Sequence, residues 1–118
     1  MNAEACLHQL LTDLGGDRAT VADLVRSFLD ESPKLIAEGR AAAGKRDVVV
    51  TQRAYHTLKG SALTFGLTDL GEAARAIEHP AKGGVLPDKG QMDKVDKLFA
   101  EAKGALDDWL KGVKAAVH

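Results

Sequence analysis

The chain lacks most of the features that mark special architectures. It has one cysteine, Cys6, so no internal disulfide can form and a reducing compartment is expected. No apolar run approaches the ~18 residues that span a membrane. The opening MNAEACLHQLL has no basic region, its first charge being Glu4, and does not read as a secretory signal. Neither sign of charge prevails: sixteen Lys and Arg stand against seventeen Asp and Glu, for a net −1. That balance argues against the basic excess of nucleic-acid binders, and no nucleic-acid partner is expected. Aromatics are only 4% of the 118 residues, yet hydrophobic residues reach 45%, too many for a disordered chain. β-branched residues cluster only at Val48-Val49-Val50, and nothing alternates with period two, which leaves no room for strands. The expectation is one soluble, cytoplasmic, all-α domain over residues 1–118, without repeats or low-complexity tracts.

What is present divides into five helical segments. The first, about 2–14, places Leu7, Leu10, Leu11 and Leu14 at helical spacing and stops at Gly15-Gly16. Asp17 serves as N-cap for a second segment, roughly 18–43, with an inward stripe of Val21, Leu24, Phe28, Ser32, Leu35, Gly39 and Ala42. Pro33 lies inside that pattern and is expected to kink the helix or break it in two. Asp47 caps a third segment reaching about Thr64, which buries Val48, Tyr55, Leu58, Ala62 and Phe65. Thr68 is expected to cap a short fourth segment through Ile77, ended by His79-Pro80 and followed by a glycine-rich loop at 81–87. Asp88 and Gln91 form a capping box that opens the last segment. Its stripe is the most regular in the chain: Met92, Val95, Phe99, Ala102, Leu106, Trp109, Val113, Ala116. At 1.5 Å per residue this helix is about 43 Å long. Four substantial helices with short connections imply an up-and-down four-helix bundle with a short N-terminal cap helix.

One flank of the third segment carries candidate chemistry. With Tyr55 facing the core and about 100° of rotation per residue, Gln52, His56, Lys59, Gly60 and Leu63 fall on one adjoining side. Lys59 and Gly60, at i+3 and i+4, are surface neighbours of His56. The glycine is anomalous, because in mid-helix it costs roughly 1 kcal/mol relative to alanine. It clears space beside the imidazole; close helix packing is its other use, and the two are compatible. Neutral imidazole is a good nitrogen nucleophile near pH 7, its unperturbed pKa being about 6.5. An ammonium within reach stabilises charge on phosphoryl oxygens, where most of the catalytic work of phosphoryl transfer lies. His8, His79 and His118 lack such neighbours and read as bystanders, and Cys6 reads as a buried inert thiol.

The run A-Y-H-T-L-K-G-S-A at 54–62 resembles the phosphorylation motif of histidine-containing phosphotransfer (HPt) domains. The core of that motif, H-x-x-K-G-[SA], is matched by His56, Lys59, Gly60 and Ser61. FLDESPKLI at 28–36, Phe65-Gly66, and Leu70, Ala74 and Ile77-Glu78 are similar to the family's flanking helices, so the resemblance covers roughly residues 13 to 112. It implies a phosphorelay intermediate that takes a phosphoryl group from a receiver-domain aspartate and passes it to another receiver aspartate. It implies no ATP binding and no autokinase activity. His56 would be the acceptor through Nε2, Lys59 the phosphoryl contact, Gly60 the clearance and Ser61 the small residue after the glycine. No cofactor is implied on this chain, the magnesium ion being supplied by the receiver.

The sequence contains neither G-x-x-x-x-G-K-[ST] nor a kinase ATP-lid motif. It also lacks the Glu-x-x-His of di-iron bundles, so no metal site is expected. The group that orients the His56 ring is left open between Gln52, one turn earlier, and residues of the second segment. On that second segment Ala22, Val25, Leu29 and Ile36 lie on a shoulder beside the inward stripe. With Leu63 they would form an apolar docking patch that excludes water around the transferring group, although the same residues also fit a flanking core. Residues 45–65 carry Lys45, Arg46, Arg53 and Lys59 against Asp47 alone, a local +3 that complements a receiver's acidic pocket. A bundle that docks a receiver or kinase without being phosphorylated is the alternative, and the intact His-x-x-Lys-Gly argues against it. The chain is expected to be monomeric; it reads as free-standing, because the bundle fills it and leaves no receiver or kinase segment, and a module of a larger hybrid kinase is the other reading.

Overall fold

A computed structural model describes residues 17–116, with side chains to Gly112; the expected cap helix at 2–14, with Cys6 and His8, and His118 lie outside the described residues. The described chain forms four helices and no strand: α1 Arg18–Gly44, α2 Val48–Thr64, α3 Thr68–Lys82 and α4 Lys89–Ala116. Three of the expected caps are in place, each built from bonds to backbone only three residues away. Asp17 accepts from the Thr20 amide at 3.1 Å and Asp47 from the Val50 amide at 3.1 Å. Asp88 and Gln91 exchange bonds, the Gln91 amide donating to Asp88 Oδ1 at 2.7 Å and the Asp88 amide to Gln91 Oε1 at 3.1 Å.

Three local expectations are corrected. Thr68 is the first residue of α3 rather than its cap: Leu67 holds the cap position, and the Thr68 hydroxyl turns back to the Gly66 carbonyl at 3.3 Å. Gly66 itself adopts a left-handed φ of 65°, which lets the Leu67 amide close on the Ala62 carbonyl at 2.9 Å and ends α2. Helix α1 runs unbroken through Pro33. Helix α3 passes through Pro80 and ends at Lys82, a full turn beyond Ile77. Proline cannot donate to the carbonyl four residues back, but that Ala76 carbonyl lies on the exposed side of the helix and accepts from Gln91 Nε2 at 3.3 Å, so it is not left unpaired.

Contacts run α1 to α2, α2 to α3, α3 to α4 and α4 back to α1, closing a ring. Connections of three, three and six residues leave successive helices antiparallel. The core joins Val21, Val25, Tyr55, Leu58, Leu70, Ile77, Val95 and Leu106, with Phe28 against Phe65 and Phe99 at ring distances of 5.2 and 5.9 Å. Helix α1 buries Val21, Phe28, Ser32, Gly39 and Ala42 of its expected stripe and departs from it at two positions. Val25 and Ile36 face inward with Ala22, whereas Leu24 is exposed and Leu35 only half-buried. The adjacent pairs Leu24-Val25 and Leu35-Ile36 satisfy the helical period equally well, and packing against two neighbouring helices selects the second member of each. On α2, Thr51 and Ala54 are buried while Val48 is only half-buried. Gly39 brings α1 close over the Tyr55 ring: a Cβ there would stand 2.6 Å from Cε2.

Candidate functional site

With Ala54, Tyr55, Leu58 and Ala62 turned into the core, α2 carries His56 on its flank, where the side chain is 56% exposed. Helix α3 packs alongside through Leu70, Ala74, Ile77 and Ala81, and within that apolar face it carries one carboxylate, Glu78, only 1% exposed. A buried carboxylate is costly unless donors surround it. Four do. His56 Nδ1 lies 2.9 Å, Lys82 Nζ 3.0 Å and Gln52 Nε2 3.4 Å from Oε1, while Lys59 Nζ lies 3.4 Å from Oε2.

Burial alone pushes the Glu78 carboxyl up, but the hydrogen bonds from His56 and Lys82 and the charges of Lys59 and Lys82 outweigh it and hold the group at about 2. An ionised carboxylate only accepts, so the imidazole proton sits on Nδ1. The lone pair is thereby left on Nε2, on the side of the ring away from the carboxylate. The structure thus brings His56, Lys59 and Gln52 together, but Gln52 binds the carboxylate, and the ring's partner is Glu78 on α3. Glu78 and Lys82 are the site residues that sequence reasoning missed. The available signal was a charge at the i+4 position from Ala74 and i+8 from Leu70, on an otherwise apolar stripe.

Gly60 is exposed, and a Cβ built on it meets nothing within 4 Å, so close helix packing is not its use. The glycine that does allow close approach of α2 and α3 is Gly71, where a Cβ would stand 2.6 Å from Leu63 Cδ2. Ser61, next to Gly60 in sequence, is half-buried. The expected docking patch does not exist as drawn. Ala22, Val25 and Ile36 are core residues, Leu29 is half-buried against the core, and of that set only Leu63 is exposed. The exposed large apolar residues on the His56 side of α2 are Val49 and Leu63, seven residues before and after it and so on the same face.

Among the described residues no group of three or more His, Cys, Asp and Glu side chains is placed to hold a metal ion. No described helix is long and apolar enough to cross a membrane. No curated protein and no solved structure matches the chain. The family model of the Hpt domain does match, over residues 23–116, which takes in α2, α3 and α4 and all but the first five residues of α1. Hpt domains serve phosphotransfer in two-component signalling; they interact with receiver domains and are phosphocarriers rather than kinases. By that match the chain belongs to the Hpt domain family.

Proposed function

We propose that His56 is a phosphoacceptor that takes a phosphoryl group from a receiver-domain aspartyl phosphate and passes it to another receiver aspartate. The observation that carries this reading is the 2.9 Å contact between His56 Nδ1 and the buried carboxylate of Glu78. It fixes the proton on Nδ1 and leaves the Nε2 lone pair as the nucleophile. As the Nε2–P bond forms, the P–O bond to the donor aspartate breaks and the aspartate leaves as a carboxylate. The ring becomes a phosphorylated imidazolium that keeps its Nδ1 proton, and the Glu78 carboxylate balances the new positive charge without any proton transfer. Attack by a second receiver aspartate on phosphorus reverses the bond changes and returns neutral imidazole.

The neighbours fit the same chemistry. Lys59 brings an ammonium to the phosphoryl oxygens. The open space over Gly60 leaves room for the group and for the receiver, which supplies the magnesium ion. Val49 and Leu63 offer apolar contacts on the same face, and exposed Lys45, Arg46 and Arg53 complement an acidic receiver pocket.

The direct test uses phosphoramidate, a small donor that phosphorylates histidine without a partner, on the protein and on His56→Gln, read by intact mass. One acid-labile phosphoryl group on the parent and none on the variant is the expected result. An adduct that persists in His56→Gln would move the acceptor elsewhere. No adduct on a folded parent protein would favour instead a bundle that docks a receiver without transfer.

A further inference from the structure

Lys82 stands at this site without belonging to the motif. It occupies the last turn of α3, which continues past Pro80 with Gln91 bonded to the Ala76 carbonyl. Its ammonium lies 3.0 Å from Glu78 Oε1, the same oxygen that His56 Nδ1 approaches at 2.9 Å. It is therefore within about 6 Å of the imidazole, a separation at which charges interact strongly near a protein surface. Lys59 holds the other carboxylate oxygen at 3.4 Å. Two ammonium groups thus share one carboxylate, and one positive charge at the site has no anion of its own.

Phosphorylation changes both sides of that balance. The phosphoryl group brings up to two negative charges, and the imidazolium formed beneath it takes the Glu78 carboxylate as its counter-ion. We propose that Lys82 then moves from Glu78 to the phosphoryl oxygens, a second phosphoryl-contacting cation beside Lys59 that the resting protein stores on the buried carboxylate. The side chain is half exposed and its stem is long and unbranched, so the exchange needs only torsional rotation. The one contact given up is the ion pair with Glu78, and no bond to the backbone is broken. The inference rests on His56 being the acceptor.

The experiment compares the protein with Lys82→Met and Lys82→Arg, each checked by thermal unfolding and phosphorylated with phosphoramidate. Uptake is followed by intact mass, and the phosphohistidine is titrated by its ³¹P shift. Lys82→Met is expected to take up the group about three- to tenfold more slowly, as befits loss of a half-exposed charge. Its ³¹P titration midpoint should rise by about half a pH unit, because a nearby cation favours the phosphoryl dianion. Lys82→Arg should restore both. A raised midpoint establishes the contact whatever the rate. An unmoved midpoint overturns the proposal, and slowed uptake alongside it would leave Lys82 acting only through Glu78. Absence of phosphoryl uptake by the parent protein is a different failure, and overturns the reading of His56 itself.

Discussion

Glu78 and His56 stand 22 residues apart in the chain and meet across the α2–α3 contact, the carboxylate oxygen 2.9 Å from the ring nitrogen. The pairing is asymmetric: the carboxylate is buried and the imidazole half exposed. That asymmetry suits the ring to the role proposed for it. A fixed partner on the inner nitrogen sets the tautomer and the ring's direction, while the outer nitrogen remains open to a donor. The cations that make the burial of Glu78 tolerable are the same ones that a phosphoryl group would need.

The first prediction concerns Glu78 and acid. Its carboxyl is held at about 2, below its ordinary 4.5, so its contribution to stability is complete above 4.5 and is lost as pH falls from there toward 2. Glu78→Gln removes that dependence. Urea unfolding at pH 6 and pH 3 should show a smaller loss of stability on acidification in the variant than in the parent protein. The variant should also take up phosphoryl groups from phosphoramidate about tenfold more slowly, since the imidazolium loses its counter-ion. Equal acid sensitivity of the two proteins would remove Glu78 from the account of the site's electrostatics.

His56→Gln separates the site from the fold. The side chain is half exposed, and Glu78 retains Lys59, Lys82 and Gln52 without it. Phosphoryl uptake should vanish while the melting temperature stays within about 2 °C, a change typical of surface substitutions. A collapse of stability measured by circular dichroism would show that His56 serves the core rather than the surface.

Gly60 offers a test of clearance in which stability and function move in opposite directions. With nothing within 4 Å of the added Cβ, Gly60→Ala should stabilise the protein by about 0.5–1 kcal/mol through helix propensity alone. Gly60→Gln fills the space beside His56. It should slow transfer from a phosphorylated receiver at least tenfold, about 1.4 kcal/mol of barrier, while uptake from the much smaller phosphoramidate changes less. Transfer from a receiver at the parent rate would defeat the clearance argument.

How much of this could be read in advance depends on the distance over which each feature is decided. The helix starts were legible because Asp17, Asp47 and the Asp88–Gln91 pair bond to backbone within three residues of themselves. His56, Lys59 and Gly60 were legible because one helical turn sets their neighbourhood. Most of the buried stripe of α1 was legible too, but not the choice of Val25 over Leu24 or Ile36 over Leu35, since both members of each pair fit the period and only contacts with other helices choose between them. Nor was the partner of the imidazole, which depends on the register of α3 against α2. The end of α3 was misplaced for the same kind of reason: the group that replaces proline's missing bond comes from another helix.

That replacement yields the last prediction. Gln91 does two things at once: its side-chain oxygen accepts the Asp88 amide at the start of α4, and its side-chain nitrogen donates to the Ala76 carbonyl that Pro80 leaves without an intrahelical donor. Gln91→Ala should therefore cost about 1–2 kcal/mol, more than loss of a capping residue alone. Pro80→Ala restores an amide that can reach Ala76, so the carbonyl no longer depends on Gln91. In the Pro80→Ala background, Gln91→Ala should cost less by about 0.5–1 kcal/mol, a coupling measurable by a double-mutant cycle of urea unfolding. Strict additivity would mean that the Gln91 amide does not stabilise the last turn of α3. In the coupled case that turn, and with it the placement of Lys82 beside Glu78, should loosen in Gln91→Ala, seen as faster amide exchange at Lys82 and Gly83.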